Sequence, residues 1–309
     1  MKTELSGNTD AIQDRQSILG KLLDNTMKEI TQRADSGQTL GLASGFAELD
    51  KLLDGFKVGE LYILASAPSL GKSSLAMNIA SHVAMAGKSV GLITLEMDRD
   101  CVARRLLFSQ ARLTQQDCRQ LSRAQSTRLM SAKERLDTAR LLIHDAASLS
   151  MDSLSDILYG MWGSHGVEFI VIDSLQMLRS GDADGHRQKA QAEITLTLKI
   201  LARDLKLPIL LLAQSSRPSQ PSVRPHLPPL IEANADVVMI LQCDEHDDLS
   251  TRPPEIQRRH MELTVVKNRN GPCGSLELSF IPDYHLFESL IPSYSSNDEE
   301  TESQEDTGN

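Results

Sequence analysis

No stretch of this chain approaches the roughly 18 consecutive apolar residues that a membrane-crossing helix needs, and the polar start "MKTELSGNTD" has no apolar signal region. No membrane contact is expected, and a soluble cytoplasmic protein is. Cysteine is sparse: Cys101, Cys118, Cys243 and Cys273 are scattered, with no C-x-x-C pair. That spacing excludes a zinc module or a disulfide framework and leaves four ordinary thiols. There is no internal repeat, and there is no overall basic excess, the net charge being −10. Six of the acidic residues fall in the last stretch, "NDEETESQEDTGN", which contains no basic residue. Residues 252–269 instead hold Arg252, Arg258, Arg259, Lys267 and Arg269 against Glu255 and Glu262. Bulk acidity therefore does not exclude a local basic surface for a nucleic acid.

What is present is enough for one large core, with 309 residues of which 40% are hydrophobic. Residues 1–14 are polar and expected to be disordered. Residues 15–36 hold an amphipathic helix, with Ile18, Leu19, Leu22, Leu23, Met27 and Ile30 at helical spacing. Its apolar face requires a partner, either its own domain or a neighbouring subunit. From 37 to 291, strand-like runs alternate with helical stretches: "ELYILAS", "SVGLITLEM", "ARLLIHD", "EFIVIDS", "LPILLLAQ" and "DVVMILQ". Near-continuous apolar strands are those covered on both faces, so the expected fold is α/β, a mostly parallel central sheet flanked by helices. "MELTVVKNR" and "SLELSFI", joined by "NGPCG", predict a hairpin at the sheet's C-terminal edge. Residues 292–309 form a solvated acidic tail.

The chemistry is concentrated in "ASAPSLGKSS", residues 65–74, between a predicted strand and a predicted helix. This matches the phosphate-loop pattern G-x-x-x-x-G-K-[ST] except at its first position, which is Ser66. In that context Ser66, Ala67, Pro68, Ser69, Leu70, Gly71, Lys72, Ser73 and Ser74 form the nucleotide-binding segment. Backbone N–H groups wrap the phosphates and the following helix adds its N-terminal dipole. Lys72 supplies a point charge and the Ser73 hydroxyl a ligand for Mg2+, so ATP and Mg2+ are the implied cofactors. The aspartate ending "EFIVID", Asp173, is the second magnesium candidate. Glu96, ending "LITLE", is the carboxylate for the attacking water. Gln214, ending "LLLAQ", is placed to sense the γ-phosphate. Ligands of open α/β sheets bind beyond the carboxyl ends of the strands, and all four features end strands in that way.

"SGFAELDKLLDGFKVGELYILASAPSLGKSSLAMNIA", "LEM", "FIVIDSLQML", "LLLAQSSR" and "VVKNRNGPCGSLELSF" resemble, in order and spacing, the ATPase domain of DnaB-type replicative helicases over roughly residues 16–288. That family tolerates a small residue at the loop's first position. The resemblance implies a RecA-like fold assembled as a ring, expected to be a hexamer, with ATP hydrolysed between subunits and 5′ to 3′ movement on single-stranded DNA. It implies further that Lys267 and Arg269 reach the γ-phosphate of the adjacent subunit, Arg269 as an arginine finger. The 15–36 helix then becomes the linker helix on the neighbouring subunit.

Two departures matter. The family's N-terminal collar domain is not expected here, so primase docking is not carried over. The segment before "IEANAD" reads "RPHLPPL", where the family has a polar loop that grips DNA phosphates. Prolines and a neutral histidine supply neither backbone nor guanidinium donors there. Arg179, Arg187, Arg217 and Arg224 are the remaining DNA-binding candidates, with Lys189 nearby. Competing expectations are a non-translocating ATPase that regulates a cellular replicative helicase, and a RadA-like recombination ATPase. The latter lacks its four-cysteine module here. A helicase loader or a cellular replicative helicase would be the protein partners.

Overall fold

The structure is a computed structural model and describes residues 19–36, 39–179, 187–215, 225–243 and 257–290. The two segments expected to be disordered, 1–14 and 292–309, lie outside the described residues. In chain order the elements are α1 (Leu19–Ser36), α2 (Ala47–Leu53), β1 (Leu61–Ser66), α3 (Lys72–Met85), β2 (Val90–Thr94), α4 (Arg99–Ala111) and α5 (Arg123–Asp137). There follow β3 (Leu141–Asp145), β4 (Leu149–Ser150), α6 (Met151–His165), β5 (Phe169–Asp173), β6 (Leu178–Arg179) and α7 (Arg187–Leu205). The last are β7 (Ile209–Gln214), α8 (Pro229–Asn234), β8 (Val237–Cys243), β9 (Arg259–Asn268), β10 (Gly274–Ile281) and β11 (Leu286–Ser289).

Nine strands form one sheet in the order β11-β10-β9-β8-β1-β7-β5-β2-β3. From β8 to β3 every neighbouring pair is parallel, and β9, β10 and β11 join antiparallel. All eight expected long strands are present. The hydropathy of the central strands does not alternate because both faces are covered, but their side chains do. Along β1, Tyr62 and Leu64 enter a core with α2, α3 and α4, whereas Leu61, Ile63 and Ala65 enter another with α6, α7 and α8. Phe169 and Val171 of β5 divide from Ile170 and Ile172 in the same way. Each fully buried Leu, Ile or Phe contributes roughly 1.5–3 kcal/mol.

The expected C-terminal hairpin, β9–β10, is not itself the edge: β11 pairs outside β10, Phe280 opposite Phe287. The hairpin turn runs through Gly271, where an added Cβ would stand 2.6 Å from Asn268 Nδ2 and 3.2 Å from the Leu52 carbonyl. Leu19, Leu23, Met27 and Ile30 of α1 are exposed. No helix among the described residues is long and apolar enough to cross a membrane.

Candidate nucleotide site

The parallel strands place their carboxyl ends side by side. Ser66, ending β1, pairs with Gln214, ending β7, and Thr94 of β2 pairs with Asp173, ending β5. The Leu95 N–H donates to the Asp173 carbonyl at 2.7 Å, which carries the chain past β2 to Glu96. The phosphate-loop residues, Glu96, Asp173 and Gln214 thus share one edge of the sheet.

Ser66 is fully buried and still in the extended pairing of β1, so the freedom of a glycine is not used at this position. Its hydroxyl donates to the Ala67 carbonyl at 2.8 Å. Left-handed backbone occurs later in the loop, at Ser69 (φ 66°) and Gly71 (φ 88°). Gly71 is also closely packed. A Cβ there would lie 2.9 Å from two ring carbons of Phe280 and 3.1 Å from Phe287, whose rings stack at 4.4 Å. The carbonyl of Gly71 accepts the Leu75 N–H at 2.9 Å, which opens α3.

Lys72, the first residue of α3, is buried. Burial lowers its pKa, and the negative charges of Asp173 and Glu96 act in the other direction. Burial likewise raises Asp173 above the ordinary carboxylate range, opposed by a hydrogen bond from Ser73 and by the Lys72 charge. Asp173 Oδ1 is buried and has no hydrogen-bond partner among the described residues. An orphaned carboxylate oxygen beside a serine hydroxyl is a fitting pair for Mg2+, which takes few protein ligands and keeps several waters. Glu96 is exposed, and its Oε1 accepts the Ser174 hydroxyl at 2.6 Å. Gln214 is exposed.

Lys267 and Arg269 lie elsewhere. Lys267 pairs with Val238 and, through β8, stands level with Ile63. The Arg269 N–H donates to the Asp236 carbonyl, and the Asp236 N–H in turn donates to the Leu61 carbonyl. Arg269 is therefore level with the amino end of β1, and Leu61 to Ser66 spans about 16 Å at the usual strand rise. The pair faces away from the phosphate loop of its own chain. Lys267 Nζ donates to the Glu232 carbonyl at 2.6 Å, and Arg269 Nη2 to the Ala233 carbonyl at 2.6 Å. Burial lowers the Lys267 pKa, the Arg269 charge adding to the effect. Asn268 points the other way, donating to the Leu52 carbonyl at 3.1 Å and fixing the hairpin.

Of the DNA-binding candidates, Arg179 and Arg187 are exposed at the end of β6 and the start of α7, whereas Arg217 and Arg224 lie outside the described residues. Lys189 is exposed in the first turn of α7. Two neighbours of the site were not singled out from the sequence. Ser174 follows Asp173 directly and could have been. Arg105 of α4, whose charge lowers the pKa of both Asp173 and His285, had no signal in an ordinary helical stretch.

Residues 41–289 match the family model described as "DnaB-like helicase C terminal domain". The chain is 31% identical over 294 residues to the replicative DNA helicase DnaC of Bacillus subtilis (strain 168), covering 92% of this chain and 63% of that protein. It is 31% identical over 301 residues to the replicative DNA helicase DnaB of Geobacillus stearothermophilus, covering 94% and 65%. The chain thus spans less than two thirds of the length of these relatives. Among solved structures it is similar to a free-standing ATPase domain, with a TM-score of 0.80 and 26% identity over 89% of this chain and 100% of that one. It is also similar to a DnaB-like replicative helicase described with its primase interactions, with a TM-score of 0.77 and 27% identity over 89% and 67%. The α/β fold is RecA-like, as the resemblance implied. By family model and relatives alike, the chain belongs to the DnaB-like helicase C-terminal domain family.

Proposed function

We propose that this chain is the ATP-hydrolysing motor of a DnaB-like helicase, acting on single-stranded DNA as a ring in which each ATP lies between two copies. The observation that carries the proposal is the separation of two half-sites. The loop, Glu96 and Asp173 occupy the carboxyl edge of the sheet, and Lys267 with Arg269 occupies the amino edge. A cation pair that cannot reach its own loop is suited to finishing the site of a neighbour. Because loop and cation pair are different surfaces, such contacts are heterologous and close into a ring when the rotation allows.

In this reading the loop N–H groups and Lys72 hold the phosphates, and Asp173 with Ser73 holds the magnesium ion. When bound, Mg2+ neutralises phosphate charge. Glu96 accepts the proton of the attacking water. Its Oε1 is oriented by Ser174, which leaves Oε2 for that water. Gln214 senses the γ-phosphate at the start of the segment leading to Arg217 and Arg224. Arg269 from the adjacent copy stabilises the charge spread over the transferring phosphoryl group. Arg179 and Arg187 are proposed to contact DNA.

A second reading, an ATPase that does not track DNA, is favoured by one feature. Leu227 and Ile231 are buried in the second core, and Pro228 and Pro229 between them have no N–H to offer a phosphate. ATPase stimulation by single-stranded DNA and strand displacement on a forked duplex separate the two. A translocase shows both, and absence of both while ATP is still hydrolysed leaves the second reading. Mixing Lys72→Ala chains with Arg269→Ala chains tests the shared site. Turnover in the mixture, where neither variant alone has any, is expected.

A further inference from the structure

The residue that ties the two ends of β1 and β9 together is Asp236, which is buried at the start of β8. Its backbone N–H donates to the Leu61 carbonyl at 2.9 Å and its carbonyl accepts the Arg269 N–H at 3.0 Å. Its carboxylate is shared three ways. Oδ2 accepts the Leu61 N–H at 2.8 Å and the Lys199 ammonium at 2.6 Å, and Oδ1 meets Arg269 Nη1 at 3.5 Å. Lys199 reaches this place from α7 and also donates to the Gly59 carbonyl at 2.8 Å. The close cation is therefore Lys199, and the Arg269 contact is at the outer limit of a hydrogen bond.

We propose that the Asp236–Lys199 pair positions Arg269 for the neighbouring chain, a role that rests on the shared-site reading above. A buried carboxylate without a counter-charge would clasp the guanidinium and hold it back. With Lys199 balancing it, the carboxylate steers Arg269 and still lets it leave for a phosphate. An unbalanced Lys199 would instead push Arg269 away. Both errors misplace the finger without touching the loop that binds ATP. Since Asp236 also grips Leu61, the first residue of the strand that ends at Ser66, the finger is registered against its own chain's loop strand.

Mixed assemblies isolate this effect. Arg269→Ala chains supply intact loops and Lys72→Ala chains supply only fingers, so turnover in the mixture reads the finger alone. Replacing the donor by Lys72→Ala/Asp236→Asn is expected to lower kcat about ten- to a hundredfold, the scale of misplacing one group in an assembled site, with KM for ATP little changed. Lys72→Ala/Lys199→Met donors are expected to lose kcat similarly. Donors carrying all three substitutions are expected to recover most of the rate, because the charges again balance. A purely structural role predicts the opposite, the triple variant being worse than either.

Donors with Asp236→Asn that match Lys72→Ala donors, or a triple variant that shows no recovery, overturn the proposal while the shared site stands. If the Asp236→Asn chain fails to fold, Lys199→Met alone decides, since full kcat from that donor is equally fatal. A mixture of plain Lys72→Ala and Arg269→Ala chains that never turns over removes the shared site, and this proposal with it.

Discussion

Gly71→Ala tests the loop geometry directly, because the structure gives two separable costs. The backbone at Gly71 has φ 88°, where an L side chain is strained by about 1–2 kcal/mol. The new methyl would sit 2.9 Å from the Phe280 ring, between stacked aromatic rings that have little room to retreat, and overpacking of that kind costs about 1–3 kcal/mol. Together they predict a loss of about 2–5 kcal/mol, within the 5–15 kcal/mol that a domain commonly has, so the variant should fold and be measurable. Urea unfolding of Gly71→Ala, Phe280→Leu and the double variant separates the two costs. Phe280→Leu removes the ring contact and leaves φ as it was. The double variant should therefore be more stable than the sum of the single losses implies, by about 1–3 kcal/mol, with ATP retention still impaired. Strict additivity, to within about 0.5 kcal/mol, would refute the account of Gly71 as a residue held small by Phe280.

Glu96→Gln keeps an oxygen for the Ser174 hydroxyl and removes the base, so ATP binding should persist while kcat falls about 10²- to 10⁴-fold. Ser174→Ala should lower kcat less and leave binding alone; equal losses in both variants would mean that the hydroxyl does more than orient the carboxylate. Asp173 gives a pH signature. Burial raises its native pKa, so between the ordinary 3.8 and the native value the folded chain holds a proton that the unfolded chain has released. Stability from this group falls as pH rises through that window, and Asp173→Asn is spared the fall. The stability of Asp173→Asn relative to the parent should therefore increase from acid towards neutral pH in denaturant titrations, with magnesium-dependent turnover lost; a gap that is flat or shrinks with pH contradicts the burial argument.

The sheet was legible because burial on both faces writes itself into the sequence as uninterrupted apolar runs such as "LYILA" and "FIVI". β11 was not. Its four residues, "LFES", are half polar, and it exists by pairing with β10 after the left-handed turn at His285, a tertiary cause that leaves no periodicity. The same division runs through the site. Lys72, Ser73, Glu96, Asp173 and Gln214 were readable because each ends a strand or opens a helix, which fixes its edge of the sheet without knowledge of strand order. Ser66 stood out only because the motif records a glycine; the paired strand extends through that residue and does not use positive φ. Asp236 and Arg105 act through neighbours distant in the chain, Leu61, Lys199 and Arg269 for one and Asp173 and His285 for the other. Only strand register and helix placement bring those groups together.

The departure at "RPHLPPL" acquires a structural meaning on the same terms. Leu227 and Ile231 are drawn into the core shared by α6 and α7, and proline takes the N-terminal positions of α8, where a missing N–H costs nothing. The segment therefore serves to seat α8, and the carbonyls of α8 at Glu232 and Ala233 are those that receive Lys267 and Arg269. What this stretch gives up in donors for DNA it returns as a fixed platform for the cation pair. The motor proposal then requires DNA contact from Arg179 and Arg187 and from the stretch containing Arg217 and Arg224, and each such contact should appear as part of the salt dependence of single-strand binding, about 0.7 in log–log slope per phosphate neutralised. A chain that hydrolyses ATP with no DNA-dependent slope would have kept the platform and lost the grip, which is the outcome the second reading describes.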